Sequence, residues 1–538
     1  MKDILSRPII RGKLGMVSTG HHLSSFVGAQ VLNKGGNAID ATIAATATLC
    51  VVKPHMCGIG GDSFTLLYNK KSGKINALNA SGLSPQRTDI KEILKEKTNR
   101  LLEDDIRSTT TPGIVDSWIE LSEKYGTIPI TELLEPAIKY AKNGFAVSNN
   151  LNEAIVKSSN KISNYKETIK TFIPNGRPLK AGQILIQKEL GETLEKISQG
   201  GREVFYKGEI SELIEEYHND NGGWLKQDDF NRYKSEWMDP IKTEYREVEV
   251  YEQPPVSQGF LLLEALNIIE GYELEKHEVD SPENIHLCSQ AMKLSLSDRI
   301  KYFADPNMVN VPIKELLSKE KAVKMRDKID KGELNNLLNP KELMGDYNTT
   351  YSTIIDKEGN GVSFILSLFT GFGTGITIPK TGIILNNRMI GFSLKDKHPN
   401  KLEAKKRPVH TLNSYMLLKN NELYLTGGSP GADLQTQVNL QVITNVIDHK
   451  LDLQSSIELP RWSVFPGTLP WDEEKQYELR LESRFSKNTI RGLKEKGHNV
   501  KEIGPWECGA VSAIMVDNEN GTLLGGADPR REGYAIGF

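Results

Sequence analysis

Short apolar and β-branched runs flank polar turns at four places along the chain. Each turn is rich in Gly, Asn or Asp, which is typical of a β-hairpin. The predicted hairpins join residues 64–68 to 74–78, 351–355 to 362–366, 415–418 to 423–426, and 513–516 to 522–524. Because these hairpins occur toward both ends of the chain, we expect sheets that are shared between its two halves.

Helical spacing of apolar residues marks the segments between the hairpins. The pattern predicts helices over residues 130–142, 260–269 and 282 to about 302, the last opening with Pro282 after Ser281. Near the start of the chain, Ser24 is predicted to cap one helix, and Asn37 is predicted to open a second helix through Val51. Together, the predicted hairpins and helices indicate one extended unit in which helices cover the faces of the sheets.

Composition narrows the classes of function. The chain has 538 residues and a net charge of -3, with acidic and basic residues mixed along it. No basic stripe indicates a nucleic-acid or membrane surface. The four cysteines are widely spaced and form no CxxC pair, which argues against a zinc site or a disulfide framework. The first residues lack the apolar core of a secretion signal, so we expect a cytoplasmic protein.

A Thr-Thr pair at residues 349 and 350 lies just before the second predicted hairpin. A threonine hydroxyl is a weak nucleophile and needs a base, which its own α-amine can supply once the residue begins a chain. That amine titrates at a pKa of about 7.7–8.0, so part of it is free base at neutral pH. From the pattern alone, most such pairs are only good strand formers.

A series of motifs, in a fixed order, covers nearly the whole chain. They are Gly35-Gly36-Asn37-Ala38-Ile39-Asp40-Ala41, Gly58-Ile59-Gly60-Gly61, Thr111-Pro112-Gly113, Pro254-Pro255-Val256-Ser257-Gln258-Gly259, Thr349-Thr350, Phe372-Gly373-Thr374-Gly375, Lys406-Arg407-Pro408, Gly428-Ser429-Pro430-Gly431 and Asp528-Pro529-Arg530. Each motif is weak by itself, but the ordered set is specific. By this set the chain resembles the γ-glutamyltransferase (γ-glutamyltranspeptidase) family.

The resemblance implies an α+β fold, a four-layer αββα sandwich of the N-terminal-nucleophile hydrolase type. It implies that a precursor cuts itself between Asn348 and Thr349, and that Thr349 is then the catalytic nucleophile. Residues 1–348 would form a large subunit and residues 349–538 a small one, held together as a heterodimer. We expect no metal and no organic cofactor. The expected partners are a small-molecule amide and either water or an amino-acid or peptide acceptor, with no nucleic acid and no membrane.

The resemblance also assigns catalytic roles. Ser367 aligns with a second hydroxyl that orients the nucleophile in the family. The backbone N–H groups of Gly431 and Ala432 align with the pair that holds the oxyanion, where the family usually has two glycines. Backbone donors tolerate an alanine whose φ and ψ are compatible.

The substrate-binding positions depart from the family pattern. Asn79 stands in place of an arginine, Phe369 in place of an asparagine, Arg388 and Gly391 in place of a glutamine and an aspartate, and His410 and Thr411 in place of paired serines. These changes resemble a divergent branch that includes oxamate amidohydrolase. Arg388 could bind a carboxylate bidentately or form a structural salt bridge. His410 is predicted to be a hydrogen-bonded wall residue rather than a base.

Three functions remain open at this point. The first is a hydrolase or transferase of γ-glutamyl amides such as glutathione. The second is an amidase or acylase with the same machinery and another acyl group, such as a small dicarboxylic monoamide. The third is a relative without turnover that acts as a binding protein.

Overall fold

Two antiparallel sheets of seven strands lie face to face, and helices cover the outer face of each sheet. The computed structural model describes residues 6–96, 100–332, 347–465 and 477–538, without the side chains of residues 347 and 348. Within these ranges no helix has the length and apolar character needed to cross a membrane.

The strands are named in chain order. They are β1 (Ile10–Gly12), β2 (Gly15–Thr19), β3 (Asp62–Asn69), β4 (Lys74–Ala80), β5 (Phe145–Ala146), β6 (Ile184–Leu185), β7 (Glu236–Met238), β8 (Ile241–Tyr245), β9 (Val248–Glu252), β10 (Tyr347–Asp356), β11 (Gly361–Thr370), β12 (Thr377–Ile378), β13 (Ile383–Ile384), β14 (Tyr415–Lys419), β15 (Glu422–Gly428), β16 (Trp462–Phe465), β17 (Glu478–Glu482), β18 (Val500–Ile503), β19 (Ser512–Asp517), β20 (Thr522–Ala527) and β21 (Tyr534–Gly537).

The helices are also named in chain order. They are α1 (His22–Asn33), α2 (Ala38–Val52), α3 (Ile90–Lys95), α4 (Ile114–Tyr125), α5 (Ile130–Asn143), α6 (Asn149–Lys157), α7 (Ser159–Ile162), α8 (Lys166–Phe172), α9 (Lys188–Tyr206), α10 (Glu209–Asp220), α11 (Gln227–Arg232), α12 (Phe260–Ile269), α13 (Pro282–Tyr302), α14 (Ile313–Leu316), α15 (Lys319–Asp330), α16 (Leu434–Ile447), α17 (Leu453–Glu458) and α18 (Lys487–Glu495).

The first sheet has the strand order β21-β2-β10-β11-β3-β4-β7, and the second has the order β1-β20-β19-β15-β14-β9-β8. Each sheet combines strands from both sides of residue 348, as the hairpins at both ends of the chain predicted. The division into a 1–348 and a 349–538 segment stays a prediction. Its boundary falls inside β10, which lies between β2 and β11 in the first sheet.

Three apolar layers hold the sheets and helices together. Alternate residues of a strand point to opposite faces, so Ile354 packs against the helices that include α2 and α5, while Ile355 packs between the sheets. Met416 enters the same inter-sheet layer from β14, and its neighbour Leu417 joins the outer layer with α12 and α16. The order is therefore helices, sheet, sheet, helices, and the predicted α+β sandwich is confirmed.

The predicted hairpins correspond to β3–β4, β10–β11, β14–β15 and β19–β20. The predicted helix starts at Asn37 and Pro282 are confirmed, and the side chains of Asn37 and Ser281 cap these helices by accepting a hydrogen bond from a backbone N–H in the first turn. The prediction for Ser24 is wrong. The helix begins earlier, with His21 as its cap, and the Ser24 hydroxyl instead donates to the Ala45 carbonyl of α2 at 2.8 Å.

Candidate active site

Three polar side chains form a row across neighbouring strands of the first sheet. Thr349 of β10 pairs in register with Ser367 of β11, which pairs with Asp62 of β3. Directly paired residues project from the same face of a sheet, and this face is the one turned toward the second sheet. The Thr349 hydroxyl donates to the Ser367 hydroxyl over 3.3 Å, and both side chains are buried. The structure thus brings together the predicted nucleophile and the predicted orienting hydroxyl.

The strand pairing is irregular at the bond that the sequence predicts to be cut. Asn348 pairs with Phe369 and Thr349 with Ser367, so β11 carries one extra residue, Leu368, at this point. The backbone N–H of Leu368 bonds to Met56 instead, at 3.0 Å. Such a bulge disrupts the ladder, and bulges are frequent beside active sites. The side chain of Asn348 lies outside the described residues.

Thr349 and Thr350 were predicted to lie just before a strand, and this is wrong for the uncut chain. Strand β10 begins at Tyr347 and runs through both threonines. The ladder continues past them because the chain N-terminal to Thr349 still pairs with β11. The Thr350 side chain lies on the opposite face from Thr349, and a Cβ at Gly20 would contact its hydroxyl.

The loop after β15 carries the two backbone donors predicted for the oxyanion. Gly431 has a φ of 128° and Ala432 a φ of 50°, so both residues have a positive φ, which non-glycine residues adopt only uncommonly. Among the described residues, neither amide N–H donates to a protein acceptor. The Ala432 carbonyl is fixed by the Gln258 side chain at 3.1 Å. The loop therefore presents N–H groups that are free to bind a ligand or a developing charge.

A pocket lies between Thr349 and this loop. It is lined by Thr349 on one side and by Pro430, the residue before Gly431, on the other. Lys53 and Arg531 also line the pocket. The Lys53 ammonium donates to the Gly20 carbonyl at 3.2 Å and lies 3.7 Å from Glu532. Burial lowers the pKa of Lys53 to about 8. Sequence reasoning missed Lys53, since no motif contained it.

Gln435 is a second residue that sequence reasoning missed. Its side-chain amide lies 3.5 Å from the Thr349 hydroxyl, at the outer limit of a hydrogen bond. Its carbonyl accepts from the backbone N–H of Asn413 at 3.0 Å, which fixes the orientation of the amide. The feature of the sequence that could have pointed to Gln435 was its position three residues after Ala432, in the first turn of α16.

Arg388 lies at the other end of the polar row and is fully buried. Its Nε donates to the Asp62 carboxylate at 3.1 Å, and the other carboxylate oxygen accepts from the Gly82 N–H at 2.7 Å. The carbon of the guanidinium lies 4.2 Å from the ring centre of Phe369. Sequence reasoning missed Asp62. The structural salt bridge considered for Arg388 is therefore present, through one of its three nitrogens.

The two terminal nitrogens of Arg388 are buried and have no hydrogen-bond partner among the described residues. A buried donor without a partner costs about 1–3 kcal/mol. Burial lowers the pKa of Arg388 to about 10, so the guanidinium stays charged at neutral pH. Burial also raises the pKa of the Asp62 carboxyl, while the attraction of Arg388 opposes that rise.

His410 packs its ring edge-on against Phe64, with ring centres 5.1 Å apart. The prediction that His410 is hydrogen-bonded is wrong for its side chain, and its place in the wall of a substrate site stays a prediction. Both ring nitrogens are buried without a partner among the described residues. Burial first, and then the charge of Arg388, hold the pKa of His410 well below its ordinary value, so the ring is neutral at pH 7.

The remaining predicted substrate residues are engaged locally. Asn79 pairs in register with Phe64, and its side-chain carbonyl oxygen accepts hydrogen bonds from the backbone N–H and the hydroxyl of Ser81 at 2.9 and 2.6 Å. Thr411 is buried, and its backbone carbonyl accepts from Gln258 at 2.6 Å. The same side-chain amide also donates to the Ala432 carbonyl. Gln258 therefore links the segment of Thr411 to the loop that contains Gly431 and Ala432, which we call the oxyanion loop. Substrate roles for Asn79 and Thr411 stay predictions.

The four-layer fold, with paired hydroxyls on the two adjacent central strands β10 and β11, defines an N-terminal-nucleophile hydrolase. The profile of the Gamma-glutamyltranspeptidase family matches residues 24–538, and the chain belongs to that family. It is an enzyme of the family's amide hydrolase and acyltransferase class.

Two relatives and one solved structure are similar to this chain over almost the full length of both partners. The Glutathione hydrolase-like YwrD proenzyme of Bacillus subtilis is 38% identical over 98% of this chain and 99% of its own. The Oxamate amidohydrolase proenzyme of Klebsiella pneumoniae is 29% identical over 97% of this chain and 98% of its own. The crystal structure of cephalosporin acylase from Bacillus halodurans has a TM-score of 0.91 at 33% identity, covering 100% of this chain and 99% of that one. The predicted resemblance, including the branch with oxamate amidohydrolase, is confirmed.

Proposed function

We propose that the chain cuts its own peptide bond between Asn348 and Thr349, and that the liberated Thr349 then hydrolyses or transfers the acyl group of a small amide. The observation that carries this proposal is the hydroxyl pair of Thr349 and Ser367. It lies beside a strand bulge and a pocket that the oxyanion loop also lines. The similarity to proenzymes supports the same reading.

In the first reaction, the Thr349 oxygen attacks the carbonyl carbon of Asn348. The hydroxyl already points toward Ser367, which orients its lone pairs. The carbon–nitrogen bond breaks as the nitrogen takes up the proton that the Thr349 hydroxyl gives up, and Asn348 is then joined to the Thr349 oxygen by an ester. Water opens the ester, leaving a carboxylate on Asn348 and both a hydroxyl and a free α-amine on Thr349.

In the second reaction, the α-amine of Thr349 accepts the proton of its own hydroxyl as the oxygen attacks the substrate amide. The same proton passes to the departing amine, and the acyl group remains on Thr349 as an ester. Water then releases the acid, or an amino-acid or peptide amine takes the acyl group. In both reactions the N–H groups of Gly431 and Ala432 would bind the oxyanion. Preorganised donors at the position of a developing negative charge usually give the largest stabilisation of the transition state.

A comparison of two threonine variants tests the proposal. On a denaturing gel, wild-type protein should give fragments of about 348 and 190 residues from its 538 residues. Thr349→Ala should leave one band. Thr350→Ala is the matched control, since Thr350 has the same residue type in the same strand but projects from the opposite face, and it should still be cut. Cleavage of Thr349→Ala at the wild-type rate would contradict the proposal.

The relative without turnover, which the sequence left open, is not favoured by any feature of the described site. It would appear as wild-type protein that stays one band and releases no amine from any amide. The hydroxyl pair and the free N–H groups of the oxyanion loop favour turnover instead.

A further inference from the structure

Self-cleavage of the uncut chain needs a base that Thr349 itself cannot supply. Before the cut, the nitrogen of Thr349 is a peptide nitrogen, so there is no free α-amine to accept the proton of the hydroxyl. The side chains of Ser367 and Gln435 lie 3.3 and 3.5 Å from the hydroxyl, but they do not titrate near neutral pH. They can orient the hydroxyl, and another group must hold its proton while the Asn348 carbonyl is attacked.

The pocket beside Thr349 has titratable side chains among its lining residues. They are Lys53, Tyr351, Asp528 and Arg531. The free space of the pocket corresponds to about one water molecule. A base can take up the proton of a nucleophile through one such water, without touching the nucleophile itself. The pocket can therefore connect one of these four side chains to the Thr349 hydroxyl.

Three of these four side chains are poor bases at neutral pH. A guanidinium does not release its proton in a protein, which excludes Arg531. Burial raises the pKa of Tyr351 to about 12, and its hydroxyl is already hydrogen-bonded to Ser363 at 2.6 Å. Asp528 forms an ion pair with Arg461 at 2.6 Å, and such a pair favours the carboxylate over its protonated form. Lys53 is the lining residue that remains.

The position of Lys53 links it to the strand that carries the nucleophile. Lys53 directly follows α2 and is 1% exposed. Its ammonium donates to the Gly20 carbonyl at 3.2 Å, and the Gly20 N–H donates to the Tyr351 carbonyl of β10 at 3.0 Å. The same segment reaches the strand bulge, because the Met56 carbonyl accepts from Leu368 at 3.0 Å. Lys53 is therefore tied to the backbone of β10 two residues from the nucleophile.

The titratable groups around Lys53 influence when its amine can accept a proton. They are Glu532, Arg531, Cys57, His21 and His55. Burial holds the pKa of both histidines well below the ordinary value, so their rings are uncharged at neutral pH. Glu532, at 3.7 Å, favours the ammonium of Lys53, but burial outweighs it and lowers the pKa to about 8. About a tenth of the side chain is therefore a neutral amine at pH 7, and most of it is neutral at pH 9.

We propose that Lys53 is the base of self-cleavage and exchanges a proton with Thr349 through one water molecule in the pocket that both residues line. As the Thr349 oxygen bonds to the carbonyl carbon of Asn348, its proton passes to the water, and the water gives one of its own protons to the neutral amine of Lys53. As the carbon–nitrogen bond then breaks, the Lys53 ammonium returns a proton through the water to the Thr349 nitrogen. Lys53 and the water end unchanged. This inference rests on the proposed function of Thr349.

The pH dependence of self-cleavage tests this role on the wild-type chain. Precursor from a short pulse of cell-free synthesis is shifted to buffers between pH 6 and pH 10, and the uncut band is followed on a denaturing gel. The cleavage rate should rise about ten-fold between pH 7 and pH 9 and then level off, because the amine of Lys53 is by then neutral. A rate that does not change with pH, or one that keeps rising up to pH 10 as catalysis by hydroxide would, overturns the inference.

Two substitutions of Lys53 separate a base from a structural cation. Lys53→Met removes the amine, whereas Lys53→Arg keeps the positive charge but cannot release a proton. Both variants should slow self-cleavage at pH 9 by at least about 100-fold and remove the rise with pH, since a positioned base contributes this much. If Lys53→Arg is cut as fast as wild type, the charge of residue 53 is sufficient and the inference is overturned.

Lys293→Met is the matched control for the loss of a buried lysine. Lys293 is also 1% exposed, and burial lowers its pKa to about 8 as well, but it lies in α13 over the ring of Tyr477. This variant should be cut like wild type, with the same pH profile. If Lys53→Met is cut as fast as Lys293→Met, the inference is overturned. Thermal unfolding shows whether each variant folds, and the wild-type pH profile stands even if one does not.

The outcomes also separate this inference from the proposed function. Thr349→Ala should stay uncut at every pH. If it does, while both Lys53 variants are cut at the wild-type rate, Lys53 is not the base and the proposed function is unaffected. If the wild-type precursor itself stays one band at every pH, the proposed function fails.

Discussion

Replacing Gly431 with alanine perturbs the proposed oxyanion donors without removing any side chain of the site. The φ of Gly431 is 128°, and a Cβ added there would lie 3.0 Å from the Cβ of Leu434 at the start of α16. Backbone strain of this kind costs about 1–3 kcal/mol for a non-glycine residue. The loop can relieve the strain only by rotating its peptide groups, which turns the N–H of residue 431 away from its position.

The loss of one oxyanion donor typically lowers kcat by about 100- to 1000-fold. Because the same donors serve both reactions of Thr349, Gly431→Ala should slow self-cleavage as well as turnover. Self-cleavage is the better assay, since the uncut chain supplies its own substrate. A time course on a denaturing gel should show the precursor persisting about 100-fold longer than in wild type.

Gly35→Ala is the matched control for backbone strain. Gly35 has a φ of 97°, and a Cβ there would meet nothing within 4 Å. Both variants should lose some stability, measured by thermal unfolding, but only Gly431→Ala should lose cleavage. If Gly431→Ala is cut as fast as Gly35→Ala, the N–H groups of this loop do not hold the oxyanion and the reasoning fails.

Three further perturbations have expected outcomes. Ser367→Ala removes the acceptor of the Thr349 hydroxyl, so self-cleavage should slow by about ten-fold or more, while Ser367→Thr should be cut normally on the same gel. Asp62→Asn leaves Arg388 buried without its counter-charge, and the free energy of unfolding in urea should fall by about 3–5 kcal/mol; an unchanged value would mean that the pair is not buried as described. Burial lowers the pKa of Lys53 from 10.5 to about 8 in the folded chain. Between these values the unfolded chain holds a proton that the folded chain has lost, so this group makes stability rise with pH by about 1.4 kcal/mol per unit. Lys53→Met should remove that slope in urea unfolding at pH 8 and pH 10, and an unaltered slope would contradict the shift.

Local chemistry made part of the fold predictable. The four hairpins followed from Gly, Asn and Asp in their turns. The helix start at Asn37 followed from the Ala- and Thr-rich run behind it, and that run does form a buried helix. The neighbours of each strand were not predictable, since β2 pairs with β21 from the far end of the chain. Nor was the early start of β10, which depends on the intact strand before Thr349.

The site was predictable where its residues lie in motifs and hidden where they meet only in space. Thr349 and Ser367 were found because the resemblance covers both strands. Asp62 was missed because Arg388, which gives it a role, is 326 positions away. His410 was placed in the wall of the site, but its unpaired nitrogens could not be foreseen, because they depend on the packing of Phe64 around the ring.

The central claim is that Thr349 becomes the first residue of a chain, and N-terminal sequencing of the smaller fragment in catalytically active protein tests it most directly. The account predicts that this fragment begins Thr-Thr-Tyr-Ser and that its amount rises in step with amide hydrolysis. Active protein in which residues 348 and 349 remain joined would contradict the account, because the hydroxyl would then have no α-amine to take its proton.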